Sequence, residues 1–96
     1  MICFTCELPA AGTYRVSLDA VKGPEQGIVQ WFRDEAPVGP EVDLYSDERQ
    51  VAEGEYVGTM DLEQGPNVLV FKLVGKNEKS EGLGLDLTNI VCERVK

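Results

Sequence analysis

The stretch Thr13-Tyr14-Arg15-Val16-Ser17-Leu18-Asp19-Ala20 decides the fold class of this chain. Its even positions are apolar and its odd positions are polar or charged, which is the period of two expected of a strand with one buried face. A helix would instead place its apolar residues three and four positions apart. We therefore predict a half-buried β-strand here, with the even-numbered side chains facing the core.

Turn-forming residues divide the rest of the chain into short segments. Clusters of Gly, Pro, Asn and Asp recur roughly every ten residues, a spacing typical of sandwiches and barrels rather than of helical or βαβ chains. The 96 residues contain no internal repeat and no linker, and their length fits one domain. We predict an all-β fold over residues 1–96, a single antiparallel β-sandwich or jelly roll of seven or eight strands.

The segment 27–33 predicts one arm of a hairpin. It is rich in β-branched and aromatic residues, and Asp34 to Pro37 can turn the chain back onto Val38 and residues 42–45. The adjacent Trp31 and Phe32 must point to opposite faces of this strand. Trp31 lies two positions after the apolar Val29 and shares its face of the strand, which places Trp31 in the core.

Two further strands are predicted on either side of the turn Gly65-Pro66-Asn67. Residues 57–62 alternate in polarity, whereas residues 68–74 are apolar on both faces, as in a strand at the centre of a sheet. The intervening segment 46–55 is interrupted by Gly54 and lacks a capping box, so we expect at most one helical turn in it.

Residues 83–95 predict a long closing strand. Leu85 and Leu87 have one parity, whereas Ile90 and Cys92 have the other. A strand that changes parity while keeping one buried face contains a β-bulge, and we expect one here.

Histidine is absent, and cysteine occurs three times. Without histidine, Ser-His and Cys-His nucleophiles are excluded and the usual ligand partners of a zinc site are missing. We therefore expect no catalytic residues, no metal ion and no enzymatic activity of the chain by itself. The odd number of cysteines leaves at least one of Cys3, Cys6 and Cys92 unpaired, and pairing of Cys6 with Cys92 across neighbouring strands stays open.

The net charge of -8 is concentrated in the middle of the chain. Residues 34–63 contain ten acids and Arg49 as their one base: Asp34, Glu35, Glu41, Asp43, Asp47, Glu48, Glu53, Glu55, Asp61 and Glu63. Such a surface repels nucleic acids and anionic lipids. We expect neither as a partner, and interpret the acidic face first as a solvated surface and second as a surface for a basic partner or a cation.

The first residues, from Met1 to Cys6, predict the first strand rather than a signal peptide. They have no basic segment followed by an apolar stretch and a small-residue cleavage site. Apolar runs elsewhere fall short of the roughly 18 residues that a membrane helix needs. We expect a soluble chain.

A set of glycines, turn residues and core residues extends along almost the whole chain: Ala11 to Val16, Gly27 to Gln30, Gly39, Val42 to Tyr45, Gly58, Leu62, Gly65, Gly75 to Asn77, Ser80 and Gly84 to Asp86. This set resembles the galactose-binding-like β-sandwich modules that occur as accessory domains of large bacterial carbohydrate-active proteins of the glycoside hydrolase type. The resemblance implies association with carbohydrate and a secreted or cell-envelope location. The chain departs from such modules at Asp34-Glu35, where they often have Asp-Gly, and at Asn67, where they often have histidine.

Sugar-binding sandwiches combine an aromatic ring with polar groups that hydrogen-bond the hydroxyls. Tyr45 is the best exposed aromatic candidate, because it ends a strand where a sandwich presents its loops, whereas the core is the better interpretation for Tyr14, Trp31 and Phe71. The glycine-bounded loop 75–84 and its flank contribute further polar side chains. The predicted carbohydrate site consists of Tyr45, Asp43, Arg49, Lys76, Asn77 and Asp86.

Other interpretations of these residues remain open. Lys76, Asn77 and Ser80 also suit plain turn chemistry, in which side chains satisfy local backbone groups. A structural calcium ion held by Asp43, Asp47 and Asp86 is a further alternative, although the chain has no EF-hand-like spacing.

Two functions of different classes follow. The first is a non-catalytic carbohydrate-binding accessory module that holds a catalytic partner near a glycan. The alternative is a structural or oligomerisation module without a ligand, which packs against a neighbouring domain of the same protein. An exposed aromatic platform distinguishes the first from the second.

Overall fold

The computed structural model describes residues 2–96, and these form eight β-strands and no helix. No segment of this range is therefore a helix able to cross a membrane. The all-β prediction is confirmed, and so is the first strand, apart from Met1, which lies outside the described residues. The strands are β1 Ile2–Leu8, β2 Gly12–Lys22, β3 Ile28–Arg33, β4 Ala36–Pro37, β5 Val42–Asp43, β6 Gln50–Leu62, β7 Gly65–Gly75 and β8 Leu87–Arg94.

The strands form two antiparallel sheets in a sandwich-like arrangement. The five-stranded sheet has the order β1-β7-β3-β4, with β5 also paired to β3, and the three-stranded sheet has the order β6-β2-β8. The apolar strand β7 lies between β1 and β3, so its predicted central position is confirmed. β3 turns back through residues 34–35 onto β4 and then pairs with β5, which confirms the predicted hairpin.

Side chains from both sheets build one core. Trp31 of β3 and Phe71 of β7 are almost fully buried and lie 6.4 Å apart between ring centroids, and Phe4 of β1 meets Phe71 edge-on at 5.9 Å. β2 contributes its even-numbered side chains, as its alternation predicts. The predicted core positions of Trp31, Tyr14 and Phe71 are therefore confirmed.

β6 begins seven residues earlier than its alternation predicts, at Gln50, because two irregularities hide its start. Opposite β2, the register shifts once around Val57 and once around residues 53–54. Gly54 has a φ of +68°, which few other residues adopt at low cost, and its amide donates to the Asp19 carboxylate at 2.9 Å. Gly54 is therefore part of a bulge, and residues 46–55 contain no helical turn, which is within the limit of one that the sequence predicts.

β8 is shorter than predicted. Residues 83–86 belong to the preceding loop, where Gly84 pairs with Gln26 in an isolated bridge instead of extending the strand. The predicted bulge is present: Asp19 pairs with Asn89 and Ala20 with Leu87, so Thr88 is the extra residue. This bulge explains why Leu87 and Ile90 both pack against the core.

The strand connections lie at two ends of the molecule. Loops 23–27, 44–49 and 76–86 form what we call the long-loop end, and residues 9–11, 34–35, 63–64 and 95–96 form the short-loop end. All six residues of the predicted carbohydrate site belong to the long-loop end or to the strand positions next to it.

Candidate functional site

Backbone pairing holds the long-loop end together. Loop 23–27 lies between the other two loops: Gly23 bridges to Tyr45, and Gln26 bridges to Gly84. The buried Ser80 hydroxyl, 2.7 Å from the Gln26 carbonyl oxygen, ties loop 76–86 to this central loop. The three loops therefore form one connected surface, and Ser80 has the local role that turn chemistry predicts.

Asp43, Asn77 and Tyr45 form the first of two polar groups on this surface. The Asn77 side-chain amide donates to Asp43 Oδ2 at 2.8 Å, and the Tyr45 backbone amide donates to Asp43 Oδ1 at 2.9 Å. Asn77 also accepts from the Lys79 amide at 3.0 Å. A carboxylate at the end of β5 and an amide just after β7 thus face the same side of the molecule.

Tyr45 is half-buried rather than openly exposed. Its hydroxyl donates to Asp47 Oδ1 at 2.8 Å. This hydrogen bond raises the pKa of Tyr45 above its usual value, with smaller contributions from burial and from the negative charges of Asp47 and Glu81. The ring is consequently held neutral and in a fixed orientation beside Asp43.

Arg49 and Asp86 form the second polar group. Arg49 Nη2 lies 3.4 Å from Asp86 Oδ2, which also accepts from Gln26 Nε2 at 3.2 Å. Both ends of the ion pair are more than half exposed, so it contributes little to stability. These side chains line a shallow cavity of about 390 Å³ together with residues of the loops 25–26 and 81–85.

Lys76 stands somewhat apart from both groups. Its ammonium group donates to the Ser80 carbonyl oxygen at 3.3 Å, within its own loop. The structure thus forms two hydrogen-bonded groups. Asp43 joins Tyr45 and Asn77 in the first, and Arg49 joins Asp86 in the second. Lys76 contacts only its own loop and belongs to neither group.

The three aspartates proposed as calcium ligands each contact a different side chain. The pairs are Asp43 with Asn77, Asp47 with Tyr45 and Asp86 with Arg49. Across residues 2–96, no three Cys, Asp or Glu side chains come close enough to hold a metal ion together. The chemistry available at the long-loop end is that of hydrogen bonding. Carboxylates accept, while an amide and a guanidinium donate, and a fixed ring lies beside them.

Sequence reasoning missed a second cavity, at the short-loop end. It measures about 590 Å³, and its polar lining comes from Thr13, Arg33, Asp61, Glu63 and the C-terminal Lys96. Thr13 Oγ1 donates to Asp61 Oδ1 at 2.6 Å, and Arg33 donates to the Asp61 carbonyl oxygen at 3.4 Å. These residues come from four distant parts of the chain. Thr13 pairs with Asp61 in the β2–β6 register and exchanges backbone hydrogen bonds with Lys96.

Apolar residues on the outer face of the five-stranded sheet were also missed. Val68 is 64% exposed, and the register places Val70 between Cys3 and Phe32 on the same face. The Lys72 ammonium lies 5.0 Å from the centroid of the Phe32 ring and partly covers it. The sequence signal for this exposed surface was that residues 68–74 are apolar on both faces of the strand. Because only one of these faces enters the core, the other has to lie on the outside of the sheet.

Together, the two sheets, the single core and the polar loop surface define an all-β module similar to part of a carbohydrate-active enzyme. That enzyme is the xanthan lyase of Paenibacillus, whose solved structure superposes with a TM-score of 0.78 at 25% sequence identity. The match covers 97% of this chain but only 9% of the lyase chain, so the likeness concerns one small part of a much larger protein. No protein-family model and no curated protein matches the sequence.

Proposed function

We propose that this chain is a non-catalytic carbohydrate-binding accessory module of a larger carbohydrate-active protein. The observation that carries the proposal is the likeness of nearly the whole chain to a part of a xanthan lyase. Within the all-β class, we assign the chain to the galactose-binding-like sandwiches of jelly-roll type, on the glycine and turn positions that extend from Ala11 to Asp86. The chain needs no cofactor in this role.

The proposed binding surface is the long-loop end. Asp43 with Asn77 and Arg49 with Asp86 offer paired acceptors and donors, a combination that matches the alternating hydroxyls of a sugar. Tyr45 supplies the ring beside them, and Lys76 extends the surface. Because Asp43, Asp47, Glu81 and Asp86 crowd this end, we expect neutral sugars to bind better than acidic ones.

Calorimetric titration with a panel of neutral and acidic oligosaccharides tests the proposal. Calorimetry suits it better than tryptophan fluorescence, because Trp31 is buried in the core. We expect dissociation constants of about micromolar to millimolar, as a single shallow site provides. Failure of every sugar in the panel to bind would refute the proposal.

Three variants locate the site. Tyr45→Ala and Arg49→Ala should each weaken binding roughly tenfold, the effect of losing one contact of about 1.4 kcal/mol. Arg33→Ala is the matched control, because it removes an exposed arginine at the short-loop end. Loss of binding in Arg33→Ala alone would move the site to the 590 Å³ cavity.

The absence of catalysis has its own test. The chain should turn over neither glycosides nor polysaccharides, because it has no histidine to act as a general base and no candidate nucleophile with an identifiable activating partner. Product formation that survives repurification and disappears on substitution of one carboxylate would contradict this.

The exposed apolar face of β7 favours a second candidate, a structural module that packs against a neighbouring domain. Val68 and Val74 are large apolar side chains in contact with solvent, and such patches often mark interfaces. A chain that binds no sugar, and whose Val68→Lys variant is as stable as the wild type, would favour this role.

A further inference from the structure

Two of the three cysteines meet at the side of the molecule where both sheets end. Cys6 is on β1, the edge strand of the five-stranded sheet, and Cys92 is on β8, an edge strand of the three-stranded sheet. Their Sγ atoms lie 3.1 Å apart although the residues are 86 positions apart in the sequence. This is the contact that the sequence left open.

The third cysteine is excluded from the contact by strand geometry. Cys3 is exposed, and it lies an odd number of residues from Cys6 on the same strand, so its side chain points to the opposite face of the sheet. Cys6 and Cys92 are half-buried and pack against the core. The fold therefore selects one pair from the three possible pairings.

We propose that Cys6 and Cys92 form an oxidative modification site, which a small-molecule disulfide converts into a disulfide bond joining the two sheets, with Cys3 outside this bond. This inference is independent of carbohydrate binding. It adds a redox-dependent covalent link to a sandwich whose sheets otherwise meet through core packing.

The reaction proceeds by two exchanges. A thiolate of the pair attacks one sulfur of the small disulfide, a mixed disulfide forms, and one small thiolate leaves. The second cysteine then loses its proton to solvent, and its sulfur displaces the remaining small thiolate as the S–S bond forms. The two protein thiols are oxidised, and the small disulfide is reduced to two thiols.

The surroundings of the pair set the rate of this reaction. Burial raises the pKa of Cys92 to about 12, with further contributions from its hydrogen bond to Cys6 and from the charge of that neighbour. Since the thiolate is the nucleophile, the Cys92 thiol is unreactive near neutral pH. We expect oxidation of the folded protein to be slow at pH 7 and to accelerate steadily up to pH 10.

The bond would have a large effect on stability because of where it lies. β8 pairs with β2 alone and is the last strand of the chain. A link from β8 to β1 closes a loop that spans most of the sequence, which restricts the unfolded chain strongly. We expect the midpoint of thermal unfolding to rise by roughly 10 °C or more.

The decisive experiment uses the Cys3→Ser variant, which retains the pair untouched. The folded variant is incubated with oxidised glutathione at pH 8.5, its free thiols are alkylated, and it is digested with trypsin and analysed by mass spectrometry. The peptide that starts at residue 1 and ends at Arg15 should be linked to the peptide that ends at Arg94, with no free thiol left. Dithiothreitol should release both peptides and lower the unfolding midpoint to its reduced value.

Wild-type protein and the Cys92→Ala variant provide the matched comparisons. Wild type should form the same linked peptides as Cys3→Ser, with exposed Cys3 carrying at most one glutathione, whereas Cys92→Ala should form only mixed disulfides with glutathione. Both thiols remaining free in Cys3→Ser, or glutathione attached to each without a linked peptide, would overturn the proposal. A bond between Cys3 and Cys6 or Cys92 in wild type would overturn it as well.

Discussion

Asp34 and Glu35 form the tip of the β3–β4 hairpin with φ angles of 50° and 68°. Positive φ at both positions is the conformation of a type I′ hairpin turn, which matches the twist of the strands. Asp tolerates this conformation through its short polar side chain, but Glu has no such compensation. The Asp-Gly from which this chain departs here has a physical reason, since glycine is the residue that the second position favours.

Glu35→Gly should therefore stabilise the protein. Glycine relieves the strain of the left-handed conformation, but its greater freedom in the unfolded chain offsets part of this benefit. The free energy of unfolding should therefore rise by a few tenths to about 1 kcal/mol. Urea denaturation measures it. Ala36→Gly is the control, because position 36 has no positive φ, and it should destabilise by a similar amount. Equal destabilisation by both variants would contradict this account of the turn.

Tyr45 and Asp47 provide a second residue-level prediction. Asp47→Asn weakens the hydrogen bond that the Tyr45 hydroxyl donates to Asp47 and also removes the negative charge of this residue, so the pKa of Tyr45 should fall towards its ordinary value near 10. Ultraviolet absorbance at alkaline pH reports tyrosinate, and subtraction of the Tyr45→Phe titration isolates this residue. An unchanged Tyr45 titration in Asp47→Asn would show that the hydrogen bond is absent in solution.

Among the elements, the strands predicted best are those with an unbroken period of two. β2 and β3 follow their alternation, and the parity change in β8 predicts its bulge at Thr88. β6 was predicted too short because Gly54 signals a strand end in sequence, whereas the fold uses it in a bulge stabilised by Asp19, a residue 35 positions away. A tertiary contact of that kind leaves no local pattern.

The connection between β4 and β5 passes close to the backbone of β6 at Gly39. A Cβ atom on Gly39 would collide with the carbonyl oxygen of Val57 on β6, and the Gly39 carbonyl accepts from Gln30 Nε2 at 2.7 Å. Because backbone rather than a flexible side chain blocks the space, the collision cannot be relieved locally.

Gly39→Ala should therefore destabilise the protein by about 2 kcal/mol or more, the size of a severe packing error. Gly75→Ala is the matched control, since a Cβ there meets nothing within 4 Å, and it should change stability by less than about 0.5 kcal/mol. Chemical denaturation of both variants distinguishes them. Comparable stability of the two would mean that the sheets do not approach as closely as described.

At the scale of the whole molecule, the predicted site residues gather at one end because β2, β5 and β7 all finish there while β6 and β8 begin there. Sequence reasoning could place Tyr45 and Asp43 near a loop end from strand boundaries alone. It could not pair Asp43 with Asn77 or Arg49 with Asp86, because those contacts join residues more than 30 positions apart. Sequence reasoning missed the cavity at the short-loop end for the same reason.

Burial of Cys92 beside Cys6 also makes the stability of the reduced protein depend on pH. The pKa of Cys92 is raised from 9.0 to about 12 on folding, so its protonated form is favoured in the folded state. The associated stability is present below pH 9 and is lost as the pH rises towards 12. Under reducing conditions, wild type should lose more stability between pH 8 and pH 10.5 than Cys92→Ala does. Parallel loss in both would contradict the assignment.

The central claim is that the long-loop end binds carbohydrate, and chemical-shift mapping by NMR tests it most directly. Titration of the isotope-labelled chain with the oligosaccharide that binds best should shift the amide signals of residues 43–49 and 76–86, and Tyr45→Ala should need roughly tenfold more sugar to reach the same shifts. Shifts confined to residues 11–13, 33 and 61–63, or no saturable shifts with any sugar, would contradict the claim.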